Sequence, residues 1–386
     1  MPATHLLNTP FSTEPLHLQR PYGAGGEAKA WDNADRYLLD YCHAEQTLRV
    51  PRTLLADDTF GALTCALAEF DIATLHHSAT ASTSVTTNLR NNHLATVPQL
   101  DWTTFAPSQP FDVVLLRLPK SIEQLIDYCH RLRPHLVPGA TLIGAAMDKY
   151  LSKGMLSALT KHFGPTHPTL GWKKARLTVS TLAQDLPPQR SPKIHRYPAS
   201  PFDIYPSSLP GVFSATSLDI GTRFFLENFN KIPLQQSKDI ADLACGNGVL
   251  GLVAASLSPN AQVHFFDDSS FAVASAKLGV AEHFSDQDRF SFHHCDGLAT
   301  YPTESLDTIL LNPPFHSGGA QDNQVAQQLF RHAARTLRPD GELWVVGNRH
   351  LGYHIKLKRY FPQVQVAASN RKFTVFRCHQ ETPLAS

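Results

Sequence analysis

The feature that most constrains the fold of this 386-residue chain is a pattern of short apolar runs that alternate with amphipathic segments of helical length. The pattern is clearest from residue 240 to residue 378, and it is typical of a parallel, doubly wound sheet with helices on both faces. A weaker copy runs through the first half, where residues 52–63 resemble residues 239–250 and residues 111–120 resemble residues 306–315. We therefore predict a duplicated α/β domain, with chance similarity between two amphipathic halves as the alternative.

The boundary between the two copies is predicted from the proline content. Residues 186–210 contain seven prolines and no helical or alternating pattern, which is typical of a linker. The chain length also exceeds the usual limit for one hydrophobic core. We place the domains at residues 1–190 and 191–386, and we expect residues 217–229 to form a short amphipathic helix in front of the second domain.

The composition argues against several classes of protein. Hydrophobic residues make up 42% of the chain and charged residues 17%, as in an ordinary globular protein. No apolar stretch approaches the roughly 18 residues that span a bilayer, so no membrane association is expected. The six cysteines form no CxxC pair, which favours a reducing compartment. We expect a cytoplasmic monomer.

The segment from Asp242 to Gly251 lies where a predicted strand turns into a helix. Its glycines permit positive φ angles and let a ligand approach the backbone. The spacing of Gly246, Gly248 and Gly251 also matches the dinucleotide-binding fingerprint, so an NAD-dependent enzyme has to be considered. Two features argue against that enzyme: Asp242 lies four residues before the first glycine, and a second motif downstream has no role in hydride transfer.

That second motif is the tetrapeptide Asn312-Pro313-Pro314-Phe315, which follows an apolar run. Each proline fixes its own φ and lacks an N–H, so the backbone turns stiffly and presents carbonyl oxygens without competing donors. A planar NH2 group fits such a site, because its two hydrogens can go to the Asn312 oxygen and a carbonyl of the proline region while Phe315 stacks on the attached ring. The nitrogen lone pair is then free to attack. A nucleobase amine and a glutamine amide both satisfy this description.

Together the glycine loop and the tetrapeptide resemble the class I S-adenosylmethionine-dependent methyltransferases that methylate planar nitrogen. The resemblance implies S-adenosyl-L-methionine as the cofactor and no metal. It implies that the loop surrounds the methionine part, that Asp267 (or Asp268) accepts the ribose hydroxyls, and that Asp296 meets the adenine amine. The predicted cofactor-binding residues are Asp242, Ala244, Cys245, Gly246, Asn247, Gly248, Asp267, Asp268, Asp296 and Asn312. Ala244 departs from the glycine that many members carry, and turn formation is the alternative role of Asp267 and Asp296.

The whole chain resembles the two-domain ribosomal RNA guanine-N2 methyltransferases, whose leading copy is degenerate. Here Arg117 stands in the place of Asn312, Lys120 in that of Phe315, and residues 57–59 replace the glycine loop. The resemblance implies two tandem Rossmann-like class I methyltransferase domains, of which the N-terminal copy is inactive. It also implies methylation of the exocyclic N2 amine of a guanine. Residues 30–39, 59–63 and 171–177 favour the large-subunit members, so 23S ribosomal RNA is the expected partner.

Three other functions stay open at this stage. The first is methylation of a guanine in 16S rRNA, because the small-subunit relatives share the two-domain plan. The second is methylation of protein glutamine, although such enzymes usually carry tyrosine after the prolines and lack a leading inactive copy. The third is a noncatalytic RNA-binding factor, which the intact glycine loop argues against.

Two basic clusters are predicted to bind the RNA backbone, because a structured RNA substrate offers many phosphates. The first contains Lys173, Lys174 and Arg176, and the second includes Arg349 and Lys356. We expect the N-terminal domain to dock RNA while the C-terminal domain catalyses.

Overall fold

The computed structural model of the chain describes residues 4–22, 29–49, 52–314 and 320–380. The chain separates into two compact units, Met1–Lys193 and Ile194–Ser386. Each unit has its own hydrophobic core. The six cysteines of the chain are all free thiols.

The first unit combines an antiparallel hairpin with a seven-stranded sheet and its helices. Its elements are β1 (Thr4–Leu7), β2 (Leu16–Gln19), α1 (Asn33–Ala44), β3 (Thr53–Ala56), α2 (Ala62–Ala66), β4 (Ile72–His76), α3 (Ala79–Asn91), β5 (Gln99–Asp101), β6 (Phe111–Arg117), α4 (Ile122–Leu132), β7 (Leu136–Met147), α5 (Lys153–His162), β8 (Thr166–Pro168) and β9 (Ala175–Thr181).

The second unit repeats this design after a short two-stranded ladder. Its elements are β10 (His195–Arg196), β11 (Ser207–Ser208), α6 (Ile220–Leu226), β12 (Asp239–Leu243), α7 (Val249–Leu257), β13 (Gln262–Asp267), α8 (Ser270–His283), β14 (Phe290–His294), β15 (Leu306–Leu311), α9 (Ala320–Thr336), β16 (Leu337–Asn348), α10 (Tyr353–Leu357), β17 (Gln363–Ser369) and β18 (Phe373–His379). The helix expected over residues 217–229 is therefore confined to α6, with a separate 3-10 turn at Phe229–Lys231.

The two sheets have the same strand order, β5-β4-β3-β6-β7-β9-β8 and β14-β13-β12-β15-β16-β18-β17. The first five strands of each sheet are parallel, as predicted, whereas β9 and β18 run antiparallel to both of their neighbours. The reason is the short connection that precedes each of these strands. Only three residues, 370–372, join β17 to β18, whereas parallel neighbours need a crossover of a dozen residues or more.

Helices cover both faces of the second sheet, so its central strands β12 and β15 are buried except at Asp239 and Asp307. Residues of α6, α7 and α8 form one core against the sheet, and residues of α9 and α10 form another on the opposite face. Such a sheet leaves a crevice at the carboxyl ends of its parallel strands, where ligands bind in this architecture.

The strand register makes the two units comparable residue by residue. The last residues of β3 and β12 pair with Leu116 and Leu311 respectively. Arg117 and Asn312 are consequently equivalent, as the sequence predicts. The turns that precede α2 and α7 match as well, since Gly61 and Gly248 have φ angles of 80° and 78°.

Candidate active site

The loop between β12 and α7 lies at the carboxyl edge of the second sheet. Ala244, Gly246 and Gly248 have positive φ angles of 58°, 55° and 78°. Alanine rarely adopts this conformation, so Ala244 is the strained member of the loop. Among the described residues, nothing lies within 4 Å of the place that a Cβ of Gly246 would occupy. The loop therefore leaves its backbone open to a ligand, which fits the methionine part of S-adenosylmethionine.

Asp242 is buried beneath this loop. Its Oδ2 accepts a hydrogen bond from the Gly251 N–H at 2.8 Å, which fixes the first turn of α7. Burial raises the pKa of Asp242 to about 8, and the neighbouring Asp267 adds to the rise. A carboxyl group that is largely protonated at neutral pH can donate a hydrogen bond as well as accept one.

Asp267 connects the end of β13 to the glycine loop. Its Oδ2 accepts from the Gly246 N–H at 2.9 Å and its Oδ1 from the Ser269 N–H at 2.8 Å. Burial raises the pKa of Asp267 to about 6, although both hydrogen bonds act in the opposite direction. Each carboxylate oxygen has a further lone pair, so the side chain suits a ribose that offers two hydroxyl groups.

The other two predicted acidic residues lie in the adjoining loops. Asp268 accepts a hydrogen bond from His294 Nε2 at 2.9 Å through its backbone carbonyl. The carbonyl of Asp296, which follows β14, accepts from the Ala299 N–H at 3.1 Å. Both residues therefore stand at the carboxyl edge of the sheet, and their roles toward the cofactor stay predictions.

Two further loop residues have clear structural contacts. Asn247 Nδ2 donates to Tyr197 Oη at 2.7 Å and to Ser208 Oγ at 3.0 Å. This side-chain amide therefore ties the loop to the segment that contains β10 and β11. Cys245 is buried, and burial raises the pKa of its thiol. Both residues line the cleft, and their contact with the cofactor stays a prediction.

Asn312 follows β15 and belongs to a short series of hydrogen-bonded groups. Its Nδ2 donates to Thr222 Oγ1 at 2.9 Å. Asp219 Oδ2 accepts from the Thr222 N–H at 2.9 Å and lies 3.3 Å from the Thr222 hydroxyl. Because the carboxylate accepts the hydroxyl proton, the hydroxyl oxygen is left to accept from Asn312, which fixes the orientation of the amide. Asn312 Oδ1 is buried and has no hydrogen-bond partner among the described residues.

The Asn312 side chain and the glycine loop line one cleft. The residues around it are Tyr197, Phe213, Ser214, Leu218, Asp219, Thr222, Asp242, Ala244, Cys245, Gly246, Asn247, Val249, Leu250 and Asn312. Sequence reasoning missed Thr222 and Asp219. Asp219 caps α6, and an aspartate directly before a helical segment is a recognisable helix start. The sequence gives no signal that this helix meets Asn312, 90 residues away from Thr222.

The rest of the tetrapeptide is only partly described. Pro313 and Pro314 directly follow Asn312 at the end of β15, and Pro313 is buried. Phe315 lies outside the described residues, so its predicted stacking role stays a prediction.

The predicted RNA-binding residues lie on the surface and differ in their pairing. Lys173 and Lys174 are exposed, whereas Arg176 forms an ion pair with Asp148 at 3.1 Å. In the second unit Arg349 is exposed. Lys356 Nζ donates to Asn323 Oδ1 at 2.6 Å, and burial lowers the pKa of this lysine.

The equivalent region of the first unit is filled by its own side chains. Trp102 and Tyr128 stack with ring centroids 3.7 Å apart, and both are fully buried. Trp102 Nε1 and Tyr128 Oη donate to the two carboxylate oxygens of Asp57, at 3.0 and 2.8 Å. Asp57 has the same φ of 58° as Ala244 and directly follows β3. The first copy has thus kept the turn and lost the open loop.

The described residues contain neither a candidate metal centre nor a membrane-spanning helix. Within residues 4–22, 29–49, 52–314 and 320–380, no group of three or more histidine, cysteine or acidic side chains could hold a metal ion. No helix in those ranges has the length and apolar character needed to cross a membrane.

The strand order of the second unit and its open glycine loop beside Asp267 and Asn312 are those of a class I S-adenosylmethionine-dependent methyltransferase. A degenerate copy of the same fold precedes it. Family models agree: residues 204–377 match the methyltransferase small domain and residues 8–184 match the RLMG N-terminal domain. The chain belongs to the ribosomal RNA large subunit methyltransferase G family. It is 40% identical over 385 residues to the member from Alcanivorax borkumensis, covering 96% of both chains. It is 37% identical to the member from Shewanella oneidensis, covering 97% of this chain and all of that one.

A solved structure supports the fold of the whole chain. The chain is similar to a T. thermophilus 16S rRNA N2 methyltransferase in complex with AdoMet and guanosine. The TM-score is 0.76 at 22% identity, and the alignment covers 98% of each chain. The sequence-based expectations of a tandem methyltransferase fold and of membership in this family are confirmed.

Proposed function

We propose that this chain transfers the methyl group of S-adenosylmethionine to the exocyclic N2 amine of a guanine in 23S ribosomal RNA. One observation carries the assignment of the amine site. Asn312 Oδ1 is a buried acceptor beside the glycine loop, and it has no partner among the described residues. A buried polar atom without a hydrogen bond is costly, so such an atom in a cleft marks the place where a ligand supplies the donor.

The side chains around Asn312 select the atom that faces this donor. The Asn312 NH2 is committed to Thr222, whose hydroxyl is committed to Asp219. The carbonyl oxygen is therefore presented as an acceptor, and the alternative amide orientation would place the NH2 group toward the substrate amine. Positioning of this kind gives a preorganised site that reorganises little during the reaction.

The reaction then needs little from the protein beyond orientation. A guanine amine is conjugated with its ring and is a weak nucleophile, so accepting both of its hydrogens concentrates electron density on the nitrogen. Asn312 accepts one hydrogen, and a carbonyl of Pro313 or Pro314 accepts the other. S-adenosylmethionine, when bound, supplies an activated methyl group on a positively charged sulfur. The surplus proton of the amine leaves to solvent after transfer.

The residues proposed to bind S-adenosylmethionine are assigned to its three parts. We assign the loop of Asp242, Ala244, Cys245, Gly246, Asn247 and Gly248 to the methionine part, Asp267 to the ribose, and Asp268 and Asp296 to the adenine end. The open space at Gly246 and the remaining lone pairs of Asp267 support these roles. We expect the enzyme to act as a monomer in the cytoplasm, where ribosomal RNA is found.

The test is methyl transfer to total ribosomal RNA from a strain that lacks the gene. Purified protein is incubated with labelled S-adenosylmethionine, and the separated 16S and 23S RNAs are digested to nucleosides. Label in N2-methylguanosine of 23S RNA is the expected result. Label in 16S RNA, in protein of the same extract, or in no product would each contradict the proposal.

A further inference from the structure

A tight turn in the first unit places two lysines in a strained backbone conformation. Lys173 and Lys174 have φ angles of 46° and 64°, which is the sign found at both central positions of a type I′ turn. Glycine and asparagine usually occupy those positions, because a longer side chain is disfavoured there. Strain of this kind persists where surrounding structure enforces it, and it points to a role for the side chains.

The surroundings do enforce this turn. Trp172 and Ala175 exchange two backbone hydrogen bonds of 2.8 Å across it. The carbonyl of Lys173 accepts from Asn33 Nδ2 at 3.0 Å, and that of Lys174 accepts from the Asp148 N–H at 2.8 Å. The turn is thus fixed from both sides while its two ammonium groups are exposed.

Cations and indole rings alternate beside the turn. Lys29 Nζ lies 4.5 Å from the Trp31 ring centroid, and the Arg36 guanidinium carbon lies 5.6 Å from the ring centroids of both Trp31 and Trp172. Lys173 Nζ lies 4.6 Å from the Trp172 ring centroid. We call these five residues with Lys174 the indole strip.

The charge of the indole strip is positive and is not balanced locally. No ion pair joins Arg36, Lys173 or Lys174 to a carboxylate in the described part of the chain. The nearby carboxylates of Asp32 and Asp35 instead bind Arg117. A surface of this composition complements a polyanion better than a mixed-charge protein surface.

We propose that the indole strip binds a single-stranded segment of RNA, with the lysines on its phosphates and Trp172 and Trp31 against its bases. Single-stranded nucleic acid is held by a cationic path combined with rings on which bases stack, whereas duplex RNA keeps its bases out of reach of such rings. Arginine between two indoles adds a planar cation that stacks on both rings and on bases. The proposal rests on the proposed function, because it assigns the first unit a contact with the RNA substrate.

Intrinsic fluorescence tests the indole strip directly. The chain has four tryptophans, and Trp102 and Trp344 are buried, with exposures of 0% and 2%. Trp31 and Trp172 are half-buried, so a bound RNA would change the fluorescence of these two rings first. Titration of the full-length protein with a short single-stranded RNA, without S-adenosylmethionine, is expected to quench this signal, and a matched duplex is expected to quench it much less. Equal quenching by the duplex, or no quenching by either RNA, would overturn the proposal.

Variants separate stacking, charge and backbone effects. Trp172→Ala is expected to weaken RNA binding about tenfold, while Leu170→Ala, an exposed apolar neighbour without a ring, leaves affinity unchanged. The double change Lys173→Gly and Lys174→Gly relieves the backbone strain, so it is expected to fold at least as stably and to weaken binding. For this double variant, the slope of the logarithm of the RNA-binding constant against the logarithm of the salt concentration is expected to become shallower by roughly 0.7 per lysine.

Loss of RNA binding and loss of methyl transfer test different proposals. RNA affinity unchanged in both variants would overturn the proposal and leave a protein partner as the occupant of this surface. Methyl transfer is measured separately on the same proteins. Absence of methyl transfer with normal RNA quenching contradicts the proposed function and leaves the indole strip intact.

Discussion

The two units share one fold but differ in the residue that follows the equivalent strands β6 and β15. In the second unit Asn312 Nδ2 donates a neutral hydrogen bond to Thr222, and its buried Oδ1 has no partner among the residues that the structure describes. In the first unit the equivalent Arg117 donates three hydrogen bonds of 2.9–3.0 Å to Asp32 and Asp35. Although burial lowers the pKa of Arg117, the two carboxylates raise it overall. The same strand end thus carries a buried oxygen without a partner among the described residues in one copy and an internal ion-pair cluster in the other.

The region beside the turn after β3 in the first unit also differs from the region beside the loop after β12 in the second. Open backbone at Gly246 in the second unit corresponds to a region of the first unit where Trp102 and Tyr128 stack beside Asp57. Side chains of the first unit therefore fill the region that is open in the second unit.

The largest expected effect comes from removing the indole ring of Trp102, which packs beside Asp57 in the first unit. Trp102→Ala is expected to lower the free energy of unfolding by about 3–5 kcal/mol, since it opens a cavity, unstacks Tyr128 and removes a donor from Asp57. Urea unfolding followed by circular dichroism measures the change. Trp172→Ala, on the surface of the same unit, is the control and is expected to cost less than about 1 kcal/mol. Similar losses in the two variants would contradict a closed first site.

The next effect is on catalysis in the second unit. Asn312→Ala removes the acceptor for the substrate amine, so kcat is expected to fall about 10²- to 10³-fold, by analogy with the loss of one preorganised polar group. S-adenosylmethionine affinity is expected to change little. Single-turnover methyl transfer and calorimetric titration give the two quantities. Turnover close to that of the unchanged protein would remove Asn312 from the proposed mechanism.

Asp267 provides a smaller effect that depends on pH. Asp267→Asn is expected to weaken S-adenosylmethionine binding about 10- to 100-fold, because hydrogen bonds to an ionised carboxylate are lost. The pKa of Asp267 is raised to about 6, so the group is ionised above this pH and protonated below it. Affinity of the unchanged protein should therefore fall as the pH drops through about 6, and affinity of the variant should not. Calorimetry at several pH values distinguishes the two, and a flat profile for the unchanged protein would count against the ribose role.

The smallest effect is expected from Thr222, which contacts Asn312 and is inferred to act through it. Thr222→Val keeps the shape of the side chain and removes the hydroxyl, so the Asn312 amide can rotate. We expect kcat to fall about tenfold with KM little changed, on the scale of one hydrogen bond. Thr222→Ser keeps the hydroxyl and is expected to restore most of the rate. Failure of serine to restore it would indicate a packing role.

The strand and helix pattern of both units was predictable because it depends on local sequence. Gly61 and Gly248 mark equivalent turns, and the register confirms the correspondence of Arg117 and Asn312. Strand β17 carries only a weak sequence signal, because it lies at the sheet edge, contains no buried residue and has an irregularity after Val366. An edge strand with little burial carries no clear hydrophobic alternation.

The parts of the site that depend on distant contacts could not be predicted. Trp102 stacks on Tyr128 from a separate element, and Asp57 binds both rings only because the sheet places them together. The hydrogen bond from Asn312 to Thr222 also joins segments with no shared sequence pattern. Motifs pointed to Asn312, whereas Thr222 and Asp219, which orient its amide, were found only in the structure.

The stoichiometry of S-adenosylmethionine binding tests the difference between the two units most directly. Calorimetric titration of the full-length protein should give one cofactor per chain, and the heat of that single site should be strongly reduced by Asp267→Asn and unaffected by Trp172→Ala. Two cofactors per chain, or a single site that is insensitive to Asp267→Asn, would contradict an open second unit paired with a closed first one.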